Sequence, residues 1–530
     1  MIRDGRQTDF DQELRYDVVI IGAGPAGISI AMELAGSGVS VALIESGGEE
    51  FDADTQELYD GTVTGLDKTD LTASRLRFLG GTSNHWGGHC LPLDPIDFER
   101  APASGLTGWP FPIGDLDNAY RRASDYCDLG RFDYDLDAVA NVTTDDFLLS
   151  GNEVIETALI RQSTPTRFGE KFRTDLASSE SVDLWLWSNA IGVEITADGQ
   201  AQSVITATLD SFERSFAADH IVLACGAVEN ARFLLLNNAR QGKKFGNNGS
   251  FLGSCYMDHV VGGAAFLWLD RPTPPKVYWR DDISSKEGIP LHFVWRLSDA
   301  VQLRENLSNT QFFLLPLSVD GGDPRLAEAN RGWQSLKSIA KWGLGRESHN
   351  FELSQAYCET INNADAMALD ALGLIDRKGD AKRLLLRYES EQLPDRSSYV
   401  SLTGDLDRFG LPKAQLHWSP TETDRDSIIK SAVLIGSVCG AEGLGRVELE
   451  DHFDSRYWDA STAWHQLGTT RMAESPNDGV VDPNCRLHGT KNLYVAGGSV
   501  MPTGGRANPT LTIVALAIRL ADHLKERVRS

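Results

Sequence analysis

The run Tyr16-Asp17-Val18-Val19-Ile20-Ile21 passes without a break into Gly22-Ala23-Gly24-Pro25-Ala26-Gly27, and a helical pattern follows through Leu34. A second apolar run, Val39 to Ile44, ends on Glu45. This order of strand, glycine turn, helix and strand is a βαβ unit, and it commits the N-terminal part of the chain to a parallel sheet that binds a dinucleotide. Gly22 permits the tight turn, Gly24 lets a pyrophosphate approach the backbone, and Gly27 lets helix and strand pack closely. The helix N-terminus then faces the anion. An acidic residue ending the second strand accepts from the ribose hydroxyls of the adenosine half, so Glu45 disfavours a 2′-phosphate and with it NADP.

The fingerprint alone does not choose between NAD and FAD. The next stretch, Arg75 to His89, contains Gly80-Gly81-Thr82-Ser83-Asn84-His85-Trp86-Gly87-Gly88. So dense a mixture of glycine, small hydroxyl and aromatic residues makes a poor core but suits backbone lying against a flat ring. It reads as a loop under an isoalloxazine and its pyrophosphate, with Gly81, Thr82, Ser83, Asn84, His85 and Gly87 as contacts. His85 is either a hydrogen-bonded loop histidine or a flavin contact, covalent attachment included. Further on, Phe216 to Ile221 leads through Val222-Leu223-Ala224-Cys225-Gly226 to a helix start and is expected to rejoin the nucleotide sheet. It lacks the fingerprint, and no second copy occurs elsewhere. Flavoenzymes that exchange electrons with NAD(P)H often carry a second such unit, so the expected acceptor is oxygen, a quinone or a redox protein.

A chain of 530 residues exceeds what one hydrophobic core organises, which implies several domains or one large discontinuous pair. Residues 264–269, 291–296 and 311–317 read as strands of a different sheet, as do 384–390, 400–402 and 414–418, with a helix over 424–438. Residues 151–180 alternate helical and polar segments without a motif. Residues 320–380 read as helices, with Trp333, Leu336, Ile339 and Trp342 on roughly one face. This middle region has the composition of a substrate domain inserted into the nucleotide fold.

Fifty Lys and Arg against 75 Asp and Glu, a net charge of −25, argue against a nucleic-acid groove, which needs clustered cations. Seven scattered cysteines include no CxxC pair and no metal-ligand spacing, so no metal site is expected and the thiols read as reduced. Met1 to Arg15 lacks an apolar leader and no run is long enough to span a membrane. A cytoplasmic location is expected, a periplasmic one only by transport on a signal-bearing partner.

The last sixty-odd residues concentrate chemistry. His465 stands in Trp464-His465-Gln466-Leu467-Gly468-Thr469-Thr470-Arg471-Met472, too rich in glycine and hydroxyls for a regular helix. A histidine on such a turn can have its pKa set near neutrality, as a general base for an alcohol requires. Asn492 to Ser499 is a strand opening on Gly497 and Gly498. Asn508-Pro509-Thr510 then starts a helix with Ile513, Leu516, Leu520 and Leu524 on one stripe. Asn508 reads as its N-cap and Pro509 as its first residue. The helix N-terminus would favour negative charge on a flavin ring lying before it.

Taken together, the fingerprint with Glu45, the GGTSNHWGG loop, His465 in HQLGTTRM, GVVDPNCRLHG and NLYVAGGSVMPTGGRANPTLTIVALAIRLADHL resemble the glucose-methanol-choline (GMC) oxidoreductase family. The nearer likeness is to its bacterial sugar-dehydrogenase and pyranose-oxidase-like branch. The resemblance covers both ends of the chain well and the middle loosely, through Tyr388 to Leu402 and Asp407 to Gly410. It implies FAD, a two-domain fold and oxidation of an alcohol. By the same resemblance His465 acts as base on the hydroxyl, Asn508 orients it, and Gly498, Ser499, Asn508, Pro509 and Thr510 contact the flavin. In pyranose oxidases the histidine matching His85 carries the flavin covalently. Here Asn84 precedes it where those enzymes have Thr, which disfavours the bond. Gly497 stands where many members have Asp.

The expected architecture is α/β: a Rossmann-like, discontinuous FAD domain from 1–98, 185–262 and 455–530. An α+β substrate domain on an antiparallel sheet would come from 99–184 and 263–454. The expected reaction is FAD-dependent oxidation of a secondary hydroxyl of a sugar, glycoside or polyol. The rival readings are a non-redox lyase with structural FAD, and a binding subunit that docks through the Trp333 to Trp342 helix and carries electrons for a partner; a small subunit or a homo-oligomer is the expected assembly.

Overall fold

The computed structural model describes residues 1–8, 13–66, 70–100, 105–164, 166–274, 276–280, 282–320, 336, 367, 380–450 and 461–529. At its centre the strand Glu13–Ile21 pairs in parallel with Val41–Ile44 on one side and Glu213–Leu223 on the other. Val18 to Ile21 are enclosed on both faces, as expected of a parallel strand with helices on either side. The sheet extends through Val182–Leu186 to an N-terminal edge strand, Ile2–Asp4, and on the other side carries Leu493–Val495 in parallel. Ala201–Ala207 and Asn189–Ile195 complete it antiparallel. The strand at 216–223 therefore does return to the nucleotide sheet. Ile2–Asp4 is too short to announce itself by periodicity.

The glycine turn does what its residue types allow. Gly22 has φ +104°, open to glycine but costly for other residues. A Cβ on Gly27 would lie 1.9 Å from the Gly22 carbonyl oxygen, so the helix Pro25–Leu34 can lie this close to its strand only with glycine there. The C-terminal helix Thr510–Arg529 packs beside it, burying Leu516, Leu520 and Leu524.

The second sheet is antiparallel: Gly445–Leu449, Val260–Thr273, Asp380–Ser390, Thr310–Asp320, Leu291–Leu297, Ile155–Gln162 and His89–Cys90 in spatial order. Alternation sorts its side chains. Phe312, Leu314, Leu384, Leu386, Tyr388, Phe293 and Trp295 form a second core with Ile428, Ala432 and Ile435 of the helix Glu422–Ala441. Gln311, Phe313, Arg387 and Glu389 fall on the opposite face. The strand Ile155–Gln162 was not legible in sequence, because its enclosed end is occupied by Arg161, 1% exposed. A third sheet joins Tyr399–Leu406, Pro412–Trp418 and Gly61–Gly65. Apart from Leu336, the expected helical face at Trp333, Ile339 and Trp342 lies outside the described residues. Among the described residues six cysteines are free thiols, and no helix is long and apolar enough to cross a membrane.

Candidate active site

A cavity of about 630 Å³ lies between the two large sheets. It opens at the carboxyl ends of four parallel strands, which deliver Gly22 and Gly24, Glu45, Ala224 to Gly226, and Gly497 and Gly498 to its wall. That is where ligands bind in open parallel sheets. The sequence-predicted Gly81, Thr82, Ser83, His85, Gly87, His465, Asn508, Pro509 and Thr510 line it as well. Gly27, Asn84 and Ser499 do not. Gly27 is a packing residue. The Asn84 amide donates to the Leu79 and Gly81 carbonyls at 2.9 and 3.0 Å, locking the loop. The Ser499 hydroxyl, fully buried, accepts from Asn230 Nδ2 at 2.9 Å. Glu45 accepts from the Ala23 and Gly47 backbone N–H groups at 2.9 and 3.1 Å, which fixes its carboxyl at the cavity edge.

The wall suits a dinucleotide. A Cβ at Gly24, Gly226 or Gly497 would meet nothing within 4 Å, so bare backbone is presented to the cavity there. The helices Pro25–Leu34 and Ala227–Gln241 begin on Gly24 and Gly226 without any side-chain cap, leaving N–H groups and the positive ends of two dipoles for an anion. Asn508 Oδ1 is buried without a partner among the described residues. These are the gaps a bound flavin nucleotide would fill.

At the C-terminal end of the cavity a polar cluster forms that sequence reading only half saw. An antiparallel bridge joins Met257 to Leu467, with N–H to carbonyl distances of 3.1 and 2.9 Å in the two directions. Two residues along, the register sets His259 opposite His465, and their Nδ1 atoms are 2.8 Å apart. Trp464, with φ +62°, breaks the strand just before. His259 Nε2 lies 2.7 Å from the Gly505 carbonyl, which can only accept, so Nε2 carries a proton. With both rings neutral the remaining assignment is forced. His259 Nδ1 is bare and accepts from His465 Nδ1–H, and His465 Nε2 is left as a lone pair.

Glu389 joins the same cluster. Its carboxyl accepts from Gln311 Nε2 at 3.0 Å and Asn508 Nδ2 at 3.2 Å and lies 3.4 Å from His465 Nδ1. The Asn508 side chain therefore does not cap its helix, as the sequence suggested. The Pro509 carbonyl accepts the Ile513 N–H at 2.8 Å, so Pro509 takes the cap position and Asn508 is turned to the cavity. Asp258 pins the backbone of His465, accepting its N–H at 2.8 Å along with the Thr462 hydroxyl at 2.7 Å. Burial pushes the Asp258 carboxyl up to about 6.

The electrostatics differ from the sequence expectation in one respect. His465 is not poised near neutrality: burial, followed by the neighbouring His259 and His89 rings, holds its imidazole well below the ordinary value. His465 is thus a neutral base across the neutral range. His259 and Glu389 were missed because neither belongs to a local motif. The available signals were a polar pair, Asp258-His259, opening an apolar strand, and Gln311 and Glu389 interrupting two others.

A two-domain arrangement with a dinucleotide cleft at the strand ends and a histidine-asparagine pair at its far end defines a flavin-dependent oxidoreductase. The family model described as GMC oxidoreductase matches residues 394–517, and that described as pyridine nucleotide-disulphide oxidoreductase matches residues 16–64. The chain is 24% identical to a 2-methyl-1,2-propanediol dehydrogenase of Mycolicibacterium austroafricanum, over 96% of this chain and 95% of the relative. It is 22% identical to the fructose dehydrogenase large subunit of Gluconobacter japonicus, over 97% and 98%. A fungal aryl-alcohol oxidase shares the fold, with a TM-score of 0.56 at 14% identity, over 98% of this chain and 100% of that one. The protein resembles the GMC oxidoreductase family in its C-terminal region and aligns along its whole length with two alcohol and sugar dehydrogenases. It binds FAD and oxidises alcohols, passing the electrons to an acceptor.

Proposed function

We propose that the substrate is a secondary hydroxyl of a sugar, glycoside or polyol, with His465 as base and Asn508 as the residue that holds the oxygen. The observation that carries this reading is the convergence of His465 and Asn508 on Glu389 in the cavity that the dinucleotide fingerprint also lines. The fructose dehydrogenase large subunit supports a sugar as substrate, and the 2-methyl-1,2-propanediol dehydrogenase supports a polyol, although the oxidisable hydroxyl of that diol is primary. When bound, FAD supplies the acceptor for the hydride leaving the carbinol carbon. Residues 1–98, 185–262 and 455–530 would hold it, and 99–184 with 263–454 would shape the substrate pocket.

The protein's own part is positioning and proton transfer. His259 and the Gly505 carbonyl keep the proton of His465 on Nδ1, so Nε2 takes the hydroxyl proton as the carbon is oxidised. Asn508 keeps one amide N–H on Glu389 and has its Oδ1 and second N–H for the substrate oxygen. Glu389 and Gln311 fix that amide, and the apolar Phe313 and Leu315 line the same wall. The expected FAD binding is non-covalent through the loop at His85.

Anaerobic mixing of the purified holoenzyme with sugars, glycosides, polyols and aromatic alcohols tests the proposal. A sugar, glycoside or polyol should bleach the flavin absorbance, and the speed of recovery in air separates oxygen from other acceptors. Bleaching by aromatic alcohols alone would exclude the proposed substrate class.

A further inference from the structure

The wall of the cavity formed by the antiparallel sheet carries an arginine that is unpaired among the described residues. Arg387 and Glu389 share a face of the strand Asp380–Ser390, and the register sets them opposite Phe313 and Gln311. Glu389 is engaged by Gln311, Asn508 and His465, as described. Arg387 is half-buried in the cavity wall, its guanidinium 5.6 Å from the Phe313 ring centroid. Among the described residues it has no hydrogen-bonded or ion-pair partner. The buried arginines, by contrast, all have partners: Arg75, Arg232, Arg296 and Arg506 each hold a carboxylate, and Arg214 and Arg471 donate to backbone carbonyls.

The carboxyls nearest to Arg387 are Glu389, two residues along the strand, and Glu450, which stands beside Gly263 on the strand opposite, and among the described residues neither is paired with it. His89 lies across the Phe313 ring, centroids 6.3 Å apart, and 4.8 Å from the His292 ring. Its imidazole is pushed down to about 4 by burial and then by His292 and Arg387, two positive influences with no carboxyl among them. A half-buried guanidinium facing a cavity is available to pair with an anion that enters it. In a chain of net charge −25 a carboxylate would have been easy to place.

We infer that Arg387 is the docking cation for an oxyanion substituent of the alcohol substrate, a carboxylate or phosphate ester on a polyhydroxylated molecule. The inference rests on the alcohol-oxidation reading and narrows it. Guanidinium is suited to the task because its planar fork binds such groups through two parallel N–H bonds. Two residues along a strand span about 7 Å, so the anion sits several bonds from the carbon that faces His465. The Phe313 ring provides an apolar floor beside the bound anion.

Two measurements on the flavin-loaded protein test this. In the first, glutarate, inorganic phosphate and neutral glutaramide, none with a hydroxyl to oxidise, are titrated calorimetrically into wild type, Arg387→Gln and Arg387→Lys. The anions should bind wild type, lose about 10–100-fold in Arg387→Gln, the range of one charge-assisted contact, and be partly restored in Arg387→Lys. Glutaramide should not discriminate. A preference between glutarate and phosphate identifies which oxyanion the site takes. In the second, anaerobic flavin bleaching by glucuronate and glucose 6-phosphate is compared with bleaching by glucose. Wild type should favour one of the anionic sugars at lower concentration, and Arg387→Gln should erase that preference while leaving the response to glucose. Equal anion binding by wild type and Arg387→Gln would overturn the inference, as would glucose matching both anionic sugars in wild type. If the anions bind through Arg387 but no alcohol bleaches the flavin, the anion site stands and the substrate reading falls.

Discussion

His259 holds no place in any motif, yet the geometry makes the base depend on it, and replacing it is the most informative single change. His259→Leu keeps approximate volume and deletes both ends of the relay. It strands the Gly505 carbonyl (2.7 Å from its present partner) and leaves the Nδ1–H of His465, now bonded at 2.8 Å, with only the Glu389 carboxyl at 3.4 Å. A stranded group costs about 1–3 kcal/mol, so some stability is lost. The diagnostic loss is kinetic, because His465 is then free to carry its proton on Nε2, the nitrogen needed bare. A positioned base contributes about 10²–10⁴ in rate. Losing control of its tautomer should remove a share of that, about 10–100-fold or 1.4–2.7 kcal/mol. His259→Asn separates this from mere destabilisation. Its Oδ1 stands near the Nδ1 position and can accept from His465, but the amide cannot reach Gly505. Anaerobic stopped-flow flavin reduction should therefore show a large fall in the limiting rate for leucine, a small one for asparagine, and an unchanged substrate dissociation constant for both. Wild-type reduction rates in His259→Leu would refute the relay. So would equal losses in the two variants, which would mean that His259 only supports the fold.

Other expectations follow from single groups. His465→Ala should retain its flavin but reduce it about 10²–10⁴ more slowly; a rate near wild type would remove His465 from the chemistry. Because the His465 imidazole is held well below its ordinary value and the neutral ring is the active base, kcat/KM should be flat through neutral pH and fall only on acidification below about 6.5, the midpoint of a free imidazole. An ascending limb centred near pH 7 would contradict that assignment. Gly24→Val should fold normally, since a Cβ there meets nothing within 4 Å, but should purify without flavin absorbance. Gly27→Ala should instead lose stability, about 1–3 kcal/mol for overpacking, because its Cβ would lie 1.9 Å from the Gly22 carbonyl oxygen; melting curves and flavin content read the two variants apart.

What could be read from sequence follows from how each part of the site is built. The fingerprint, the GGTSNHWGG loop and the helix after Pro509 are sites of local backbone geometry, and such geometry leaves local marks: glycine where φ is positive, proline where a helix starts. Gly22, Gly81 and Pro509 were legible for that reason, and Gly24 because bare backbone is needed where the helix N-terminus faces the cavity. Glu389, Gln311 and His259 are brought together by strand register over long separations. Glu389 meets Gln311 across one pairing and Val261 across another, and the Met257–Leu467 bridge sets His259 against His465. Register leaves no contiguous motif. It leaves a polar residue in a strand that otherwise reads as core, at Gln311, Arg387 and Glu389. Once alternation places Phe312, Leu314, Leu386 and Tyr388 in the core, these residues must face the cavity together. The same misfit marks both halves of the site: Glu389, which anchors the residues proposed to act on the hydroxyl, and Arg387, which selects what else the substrate carries.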